Sequence, residues 1–421
     1  MSAMSNSNWS RRSLFRAAAG MAAAGTLAAC GGNNGRGGGS GSGKNLNQYF
    51  HAYGETGVEQ AVKRYAAAYK KANVSTQWIT SADYETKLFS ALLTKQAPDV
   101  FEFHPQIQMV KSGQVADLSD IINPVKDDFN PADIKSHTFD GKIYGVRMID
   151  DPQFFFYRKS MLEKANVSVP TTLDELIEAA DKLTTSKVKG LFLGNDLHAI
   201  ELPLIWSAGA EPLTDKNEIG YHTDAVAGGL GQLRKLFTSG NLLLDAPADF
   251  WDPSAITQGL CAIQFCGMWA MPAMQKALGD DLGVFPFPKI GSNGRPSVYN
   301  GGWSMFVNAK GKNVDAAKEY VKWLWIDQKK YQEDFATSYG FHIPPRTSIA
   351  SSADKLKSGL PAEGVKLFNT YGHFDNISWT QAMYSAWDGV ISDCVRKGGD
   401  PEAALDRADK TINRELKKLF G

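Results

Sequence analysis

Helical and strand patterns alternate along this chain from about residue 46 onward. Such alternation is the signature of a layered α/β architecture, because each sheet must bury its apolar faces against helices. The sequence therefore predicts an α/β fold. Strands are expected where short β-branched and aromatic runs occur, at NQYFHAY, PDVFEF, FFFYR, LCAIQF and SMFVNA.

Capping signals mark several helix starts. Thr56–Glu59 and Thr172–Glu175 both have the spacing of a capping box, in which a Thr side chain and a Glu side chain bond each other's backbone amides. Asp315 precedes a helix through AAKEYVKWLW, and Asp400, followed by Pro, begins a last helix. These four positions predict where helices begin.

The first thirty residues have the organisation of an export signal. Arg11, Arg12 and Arg16 form a basic region, residues 17–29 are uncharged, and Cys30 follows in LAAC. The pattern resembles a twin-arginine signal joined to a bacterial lipobox. We therefore expect residues 1–29 to be removed and Cys30 to carry a lipid. An alternative is a plain cleaved signal in which Cys30 occurs by chance.

The predicted export route stays open, because Leu14 and Phe15 stand in the reverse of their usual order in a twin-arginine signal. Residues 30–44 follow as a linker, with eight glycines among residues 31–44. A Gly/Ser coil of that length spans on the order of 20 Å. The expected location is the outer face of a bacterial cell membrane, with the folded body tethered through Cys30.

Composition limits the partners of the body, residues 45–421. Removing residues 1–29 takes away three arginines and leaves 42 basic against 45 acidic side chains. No basic stripe is present to neutralise phosphates, so nucleic acid is not an expected partner. No apolar run after Cys30 approaches the roughly 18 residues of a membrane span. The length is greater than one hydrophobic core usually supports and predicts two lobes.

The remaining cysteines are Cys261, Cys266 and Cys394. Cys261 and Cys266 lie in one predicted strand, where five extended residues span about 16 Å. A disulfide requires Cα atoms within about 7 Å, so these two are not expected to pair. At least one cysteine should be free, and the pairing of Cys394 stays open. CxxC metal spacing is absent, and no metal or cofactor is expected.

Four segments, taken in order, resemble the family 1 extracellular solute-binding proteins, the ligand receptors of bacterial ABC importers for sugars. They are DGKIYGVRMIDDPQFFFYRKSM within residues 140–183, QGLCAIQFCGMWAM, YNGGWSMFVNAKGKNVDAAKEYVKWLW and GFHIPPRT. The resemblance covers residues 46–420. Arg147 departs from the family's usual Pro, and Arg158 departs from the commoner Asn.

The resemblance implies a periplasmic-binding-protein-like fold of the class II type, with two α/β lobes and a ligand cleft between them. The N-terminal lobe would take residues 45–152 and 304–345, and the C-terminal lobe residues 153–303 and 346–421. The lobes would close around a carbohydrate by a hinge motion. A membrane permease would then recognise the closed form, and the binding protein itself would be a monomer.

Sugars need aromatic faces for their apolar C–H surfaces and planar polar groups for their hydroxyls. The family carries a sugar-stacking aromatic at the position of Trp269, whose alternative role is in the core. Trp303, Trp251 and Trp379 each follow turn-like residues and are further candidates. Trp323 and Trp325 lie within a predicted helix and are expected to pack in the core.

Asp151 lies six residues before Tyr157, where the family often has a ligand carboxylate, and Asp150 competes with it if the register slips by one. Glu55 follows the first predicted strand, and its alternative role is to interact with a helix dipole. Asn300 and His104 are weaker candidates on loops near strands.

Three functions remain in competition at this point. The first is non-catalytic capture of a mono- or oligosaccharide, with no catalytic residue and no enzyme activity. The second is a secreted glycoside hydrolase using Asp150 or Asp151 with a distant carboxylate. The third is a sensory solute receptor of the same fold. Neither GxSxG nor HExxH occurs in the chain, which excludes the commonest serine-hydrolase and zinc-protease signatures.

Overall fold

The computed structural model describes residues 44–421. The predicted signal at residues 1–29, the lipidation of Cys30 and nearly all of the predicted linker lie outside these described residues. Among residues 44–421, no helix has the length and apolar character needed to cross a bilayer.

The described residues contain short strands from Asn45 to Phe374, in agreement with the α/β prediction. The strands are β1 (Asn45–His51), β2 (Asn73–Ile79), β3 (Val100–Phe103), β4 (Thr138–Phe139), β5 (Lys142–Ile143), β6 (Val146–Ile149), β7 (Pro152–Arg158), β8 (Lys189–Phe192), β9 (Cys261–Gly267), β10 (Leu282–Phe285), β11 (Val298–Asn300), β12 (Trp303–Val307) and β13 (Gly372–Phe374).

Helices alternate with these strands and cover the sheets. They are α1 (Val58–Ala68), α2 (Ser81–Leu92), α3 (Ile107–Lys111), α4 (Ser119–Ile122), α5 (Pro131–Ser136), α6 (Lys159–Ala165), α7 (Leu173–Leu183), α8 (Glu201–Ser207), α9 (Asp224–Thr238), α10 (Ser254–Thr257), α11 (Met271–Leu278), α12 (Val314–Lys322), α13 (Lys329–Thr337), α14 (Thr347–Ala350), α15 (Gly359–Tyr371), α16 (Gln381–Val390) and α17 (Pro401–Phe420). Two π-helical turns, Trp323–Asp327 and Ile391–Arg396, extend α12 and α16.

The first sheet has the strand order β2-β1-β3-β12-β6. Strands β1, β2 and β3 run parallel, whereas β12 is antiparallel to both β3 and β6. Helices α1, α2, α12 and α13 pack on this sheet. Helix α1 packs through one face, on which Val58, Ala61, Val62 and Tyr65 are buried.

The second sheet has the order β13-β11-β7-β9-β8, and β10 also pairs with β7. Its central strand β7 is antiparallel to β9, β10 and β11. The residues of β7 from Pro152 to Phe156 are all buried. The strand is covered on both faces, because Phe155 packs in one core cluster with residues of α7 and α8, and Phe154 and Phe156 pack in another with residues of α15.

The two predicted capping boxes have different outcomes. At α7 the box is present, since the Thr172 hydroxyl accepts from the Glu175 amide at 3.1 Å and the Glu175 carboxylate accepts from the Thr172 amide at 3.3 Å. At α1 the prediction is wrong. The N-cap is Gly57 with φ of 100°, and the cap makes no side-chain hydrogen bond. Because the helix begins at Val58, the N-cap position falls on Gly57, which has no side chain to accept a hydrogen bond, and Thr56 lies one residue before it.

The other predicted starts agree closely with the structure. The Asp400 side chain accepts from the Ala403 amide at 2.9 Å, so it caps α17. Asp315 lies in the first turn of α12 rather than before it. All five predicted strands are present, as β1, β3, β7, β9 and β12.

Cys261, Cys266 and Cys394 are free and buried. The prediction that Cys261 and Cys266 do not pair is confirmed, since both lie in β9. Burial raises the pKa of the Cys394 thiol to about 11, so this side chain behaves as a small apolar residue.

The two helix starts allow a matched test of the capping contribution. We expect Thr172→Ala to lower the free energy of unfolding by about 1 kcal/mol, because the N3 amide loses its acceptor. Thr56→Ala should leave stability within about 0.5 kcal/mol, the range of ordinary surface substitutions. Urea unfolding of both variants measures the difference. Equal losses would contradict the assigned caps.

Candidate functional site

One edge of the first sheet gathers three aromatic side chains. Because β1 and β3 are parallel and β12 is antiparallel to β3, the ends of β1 and β3 lie beside the start of β12. His51 ends β1, His104 follows β3 and Trp303 begins β12. The Trp303 ring centroid is 4.0 Å from that of His51 and 4.4 Å from that of His104. Carboxyl ends of parallel strands are a common position for ligand sites in α/β proteins.

The Glu102 side chain holds the rings of His51 and Tyr53 in position at this edge. This buried carboxylate lies 2.6 Å from His51 Nδ1 and accepts a hydrogen bond from the Tyr53 hydroxyl at 2.7 Å. Burial and the adjacent Glu102 charge hold the pKa of Tyr53 well above its usual value, so Tyr53 remains a donor. The rings are thus pre-positioned, which lowers the entropic cost of binding.

Two short links connect this edge to the second sheet. Strand β6 ends at Ile149 and β7 begins at Pro152, so Asp150 and Asp151 form one link. Gly301 and Gly302 form the other, between β11 and β12. Gly302 has φ of 52°, and a Cβ there would lie 2.4 Å from the Ile149 carbonyl oxygen. A side chain at this position would separate the two links.

Asn300 ties the two links together. Its side-chain amide donates to Asp150 Oδ1 at 2.6 Å, and its side-chain oxygen accepts from the Asp151 amide at 2.8 Å. Asp150 also pairs with Ile343 through two backbone hydrogen bonds of 2.9 and 3.0 Å. Three chain segments therefore meet at Asp150.

A buried ion triad joins two of these segments to a further one, which carries Glu55. The His342 ring contacts the Asp151 carboxylate through Nδ1 and lies 3.1 Å from Glu55 Oε1 through Nε2. Burial opposes a charge on His342, but the Asp151 and Glu55 carboxylates raise its pKa to about 10. Burial likewise opposes ionisation of Glu55, yet the His342 hydrogen bond lowers the Glu55 pKa. An imidazolium thus lies between two carboxylates.

Arg147 supports the links from the side of the first sheet. It is fully buried and donates from Nε to Asp133 Oδ1 at 2.8 Å and from Nη1 to the Gly301 carbonyl at 3.0 Å. Asp150 lies 3.8 Å from the same guanidinium. Burial and the Asp133 charge nevertheless raise the pKa of Asp150 to about 7. The unusual Arg in the sequence is therefore a structural partner of the glycine link.

The edge of the second sheet carries a tryptophan pair. Trp269 follows β9 and lies over Gly267, where a Cβ would be 1.7 Å from the Trp269 ring. Its indole Nε1 donates to the Trp251 carbonyl at 3.0 Å. Trp251 is 55% exposed. This pair presents aromatic surface to solvent beside the end of β9.

Trp379 lies elsewhere, in the hydrophobic core of the second sheet. It is only 3% exposed and packs edge-on against Tyr221 and Tyr384, with ring centroids 6.0 and 6.2 Å away. Nearby, the hydroxyls of Tyr384 and Tyr299 donate to the Asp375 carboxylate at 3.1 and 3.0 Å.

The predicted site residues therefore fall into three positions. At the first-sheet edge and the links the structure brings together Glu55, His104, Asp150, Asp151, Asn300 and Trp303. Trp251 and Trp269 form the pair at the second-sheet edge, and Trp379 lies apart in the core.

Sequence reasoning missed His51, Tyr53 and His342. His51 could have been found by the rule that selected His104, since it also ends a strand. His342 could not, because its partners lie 191 and more residues away. Among residues 44–421, two groups of His and carboxylates have metal-like spacing, and neither includes a residue named above for the two edges or the links.

Comparison with known proteins agrees with this architecture. The family profile described as bacterial extracellular solute-binding protein matches residues 51–325, more than half of the chain. The diacetylchitobiose binding protein DasA of Streptomyces coelicolor is 26% identical over 362 residues, covering 79% of this chain and 80% of the relative. The maltodextrin-binding protein MdxE of Bacillus subtilis is 21% identical over 389 residues, covering 86% and 90%.

Among solved structures, the GacH receptor of Streptomyces glaucescens superposes with a TM-score of 0.77 at 22% identity, covering 89% of this chain and 99% of that one. The two-lobed periplasmic-binding-protein-like fold predicted from the sequence is therefore confirmed. The members of the family are binding proteins rather than enzymes, as expected for this chain. The chain belongs to the bacterial extracellular solute-binding proteins.

Proposed function

We propose that this protein captures a carbohydrate outside the cell and delivers it to the permease of an ABC importer. The observation that carries the proposal is that aromatic rings and carboxylates occupy the edges of both sheets where two short links join them. Such a mixture suits the apolar faces and the hydroxyls of a sugar. The relatives support this ligand class, since their names specify diacetylchitobiose and maltodextrin.

The lobes of this receptor would be residues 45–152 with 304–345 and residues 153–303 with 346–421. The sheets support this division, because the first sheet draws its strands from residues 45–149 and 303–307. The second draws its strands from residues 152–300 and 372–374, so the sheets and the proposed lobes differ by one residue at Pro152 and at Trp303. The links at Asp150 and Gly301 would then be the hinge.

The solute would bind between Trp303 and His104 at the edge of the first sheet and Trp269 and Trp251 at the edge of the second. Trp269 remains the preferred stacking residue, because it adjoins the exposed Trp251 at the end of β9. The rigid His51 and Tyr53 rings beside Trp303 would extend the first-lobe surface.

The remaining candidates would act from more buried positions. We propose that Asp151, Glu55 and Asn300 set the hydroxyl-binding geometry at the hinge, since each already has a protein partner there. Trp379 would support the second lobe from its core, and Asp150 would hold the links.

Closure of the lobes would couple binding to delivery, because the ligand stabilises the state it binds better. Two contacts away from the links support a closed arrangement. The Ile107 amide donates to the Ile377 carbonyl at 2.9 Å, and Lys135 Nζ lies 2.6 Å from Asp215 Oδ1. The permease would recognise the surface that these contacts bring together.

The direct test is a thermal-shift screen of the purified protein against neutral mono- and oligosaccharides, with the sugar analysed by chromatography afterwards. A ligand at a hundred times its Kd adds about 2.7 kcal/mol of stability, which raises the melting temperature measurably. A shift with the sugar recovered intact is expected. Cleaved sugar would favour the hydrolase, and no shift with any saccharide would refute the carbohydrate assignment. Continued uptake of the sugar in a deletion strain would favour a sensory receptor.

Truncating the stacking residue should weaken binding without unfolding the protein. We expect Trp269→Ala to reduce the affinity by about 1 to 3 kcal/mol, the scale of a lost buried aromatic contact. Trp323→Ala is the matched control, since Trp323 packs on Tyr69 and Tyr320 in the first lobe. The control should lower the melting temperature and leave the affinity unchanged. Isothermal titration calorimetry measures the affinity of both variants for the sugar. An unchanged affinity of Trp269→Ala would show that Trp269 does not belong to the binding site.

Removing the buried imidazolium should destabilise the hinge. We expect His342→Gln to cost about 3 to 5 kcal/mol, because Asp151 and Glu55 would remain buried as uncompensated charges. The double variant His342→Gln with Asp151→Asn should recover part of this loss. A loss below about 1 kcal/mol in urea unfolding would contradict the triad.

The same triad gives a pH dependence. The pKa of His342 is raised from 6.5 to about 10 in the folded state. Its stabilisation is therefore fully present below pH 6.5 and is lost as the pH rises toward 10. Unfolding curves of the wild type from pH 6 to 10 should show this loss, and those of His342→Gln should lack it.

We also propose that Cys30 carries the lipid that keeps the receptor at the membrane, on the strength of the LAAC sequence and the glycine-rich segment after it. Cys30→Ala should move the protein from the membrane fraction to the soluble extracytoplasmic fraction. Cell fractionation with immunodetection measures this, with Cys394→Ala as the control. Retention of Cys30→Ala in the membrane fraction would exclude lipid anchoring at this residue.

A further inference from the structure

Glu201 is a buried carboxylate without a hydrogen-bond donor. It begins α8, its side chain is 2% exposed, and neither Oε1 nor Oε2 has a hydrogen-bond partner. A buried carboxyl group is normally hydrogen-bonded, closely ion-paired or bound to a metal ion, whereas Glu201 has only the His198 ring 3.7 Å away. An uncovered carboxylate of this kind indicates that another group belongs beside it.

Two further metal-binding side chains lie next to Glu201. His198 precedes it by one helical turn, and Asp388 lies on α16. His198 Nδ1 is 3.2 Å from Asp388 Oδ1 and 3.7 Å from Glu201 Oε2. One nitrogen and two oxygens, one from each residue, all lie within 4.8 Å of one another.

The His198 ring cannot satisfy both carboxylates by itself. Its Nδ1 carries at most one proton, and the 3.2 Å contact uses it for Asp388. The 3.7 Å separation from Glu201 is beyond hydrogen-bond distance. His198 and Asp388 are 49% and 51% exposed, so an ion can reach the group from solvent.

We propose that His198, Glu201 and Asp388 bind one divalent transition-metal ion of the Zn²⁺ class. Imidazole nitrogen and carboxylate oxygen are ligands that Zn²⁺ accepts, with bonds of about 2.0 to 2.2 Å, and three protein ligands leave one position for water. Tetrahedral bonds of that length separate neighbouring ligand atoms by about 3.3 Å, close to the 3.2 and 3.7 Å observed here. The two carboxylates neutralise the ion.

Such an ion would join the turn that leads into α8 to α16, and His198 and Asp388 are 190 residues apart in the chain. The site does not depend on the identity of the transported solute. Its ligands come from one short turn, HAIE, and one distant helix. The local sequence therefore places only His198 and Glu201 together, because Asp388 is far away in the chain.

The chain offers a matched control in its other His-and-carboxylate group, His222 with Asp406 and Asp409. There the protein already provides partners. Both His222 nitrogens contact carboxylates, at 2.7 Å to Asp409 and 3.0 Å to Glu402. Asp409 also accepts from the Tyr221 hydroxyl at 2.6 Å. No unpartnered buried group points to an ion at this second position.

The experiment is a calorimetric titration of the EDTA-treated full-length protein with Zn²⁺ at neutral pH. One saturable equivalent is expected. Glu201→Gln and Asp388→Asn should each weaken it at least about tenfold, as loss of groups around a metal does, while His222→Gln should bind like the wild type. Zn²⁺ should also raise the melting temperature of the wild type but not of Asp388→Asn.

Asp388→Asn keeps the test decisive, because this half-exposed residue can be changed without opening the core. Its melting temperature in EDTA confirms that it folds. The proposal would be overturned by the absence of saturable Zn²⁺ binding to the wild type. It would equally be overturned if the folded Asp388→Asn variant bound Zn²⁺ as tightly as the wild type.

Discussion

The structure depends on the meeting of three chain segments around Asp150 and Asp151. His342 supplies a positive charge between Asp151 and Glu55, and Asn300 bonds both link residues. These contacts fix where the first sheet ends and the second begins. Because a buried charge left without its partner is costly, each member of the triad constrains the others.

Strand direction then decides which side chains meet. Antiparallel β12 brings Trp303 to the same edge as His51 and His104. In the second sheet, Trp269 follows β9 at the end that pairs with the start of β7. Both aromatic groups thus adjoin the links, and the proposed binding surfaces follow from sheet topology rather than from any local motif.

Prediction from the sequence was most successful where the signal is local. The five strands and the caps at Thr172 and Asp400 follow from side-chain periodicity and short-range hydrogen bonds. The prediction of a capping box failed at Thr56. A rule based on residue spacing does not account for the left-handed conformation of Gly57. Sequence reasoning selected His104 near a strand and Trp303 after turn-like residues, and the structure brings these two rings together, whereas His342 has no local signal.

The sequence by itself determined the α/β class, the helix and strand positions and the family resemblance, because these depend on neighbouring residues and on motif order. Only the tertiary structure decided the positions and the burial of the individual candidates. Trp379 resembles Trp251 in sequence context, yet one is in the core and the other is exposed. Burial and ion pairing depend on residues brought together from distant segments, and that information is absent from any short stretch of chain.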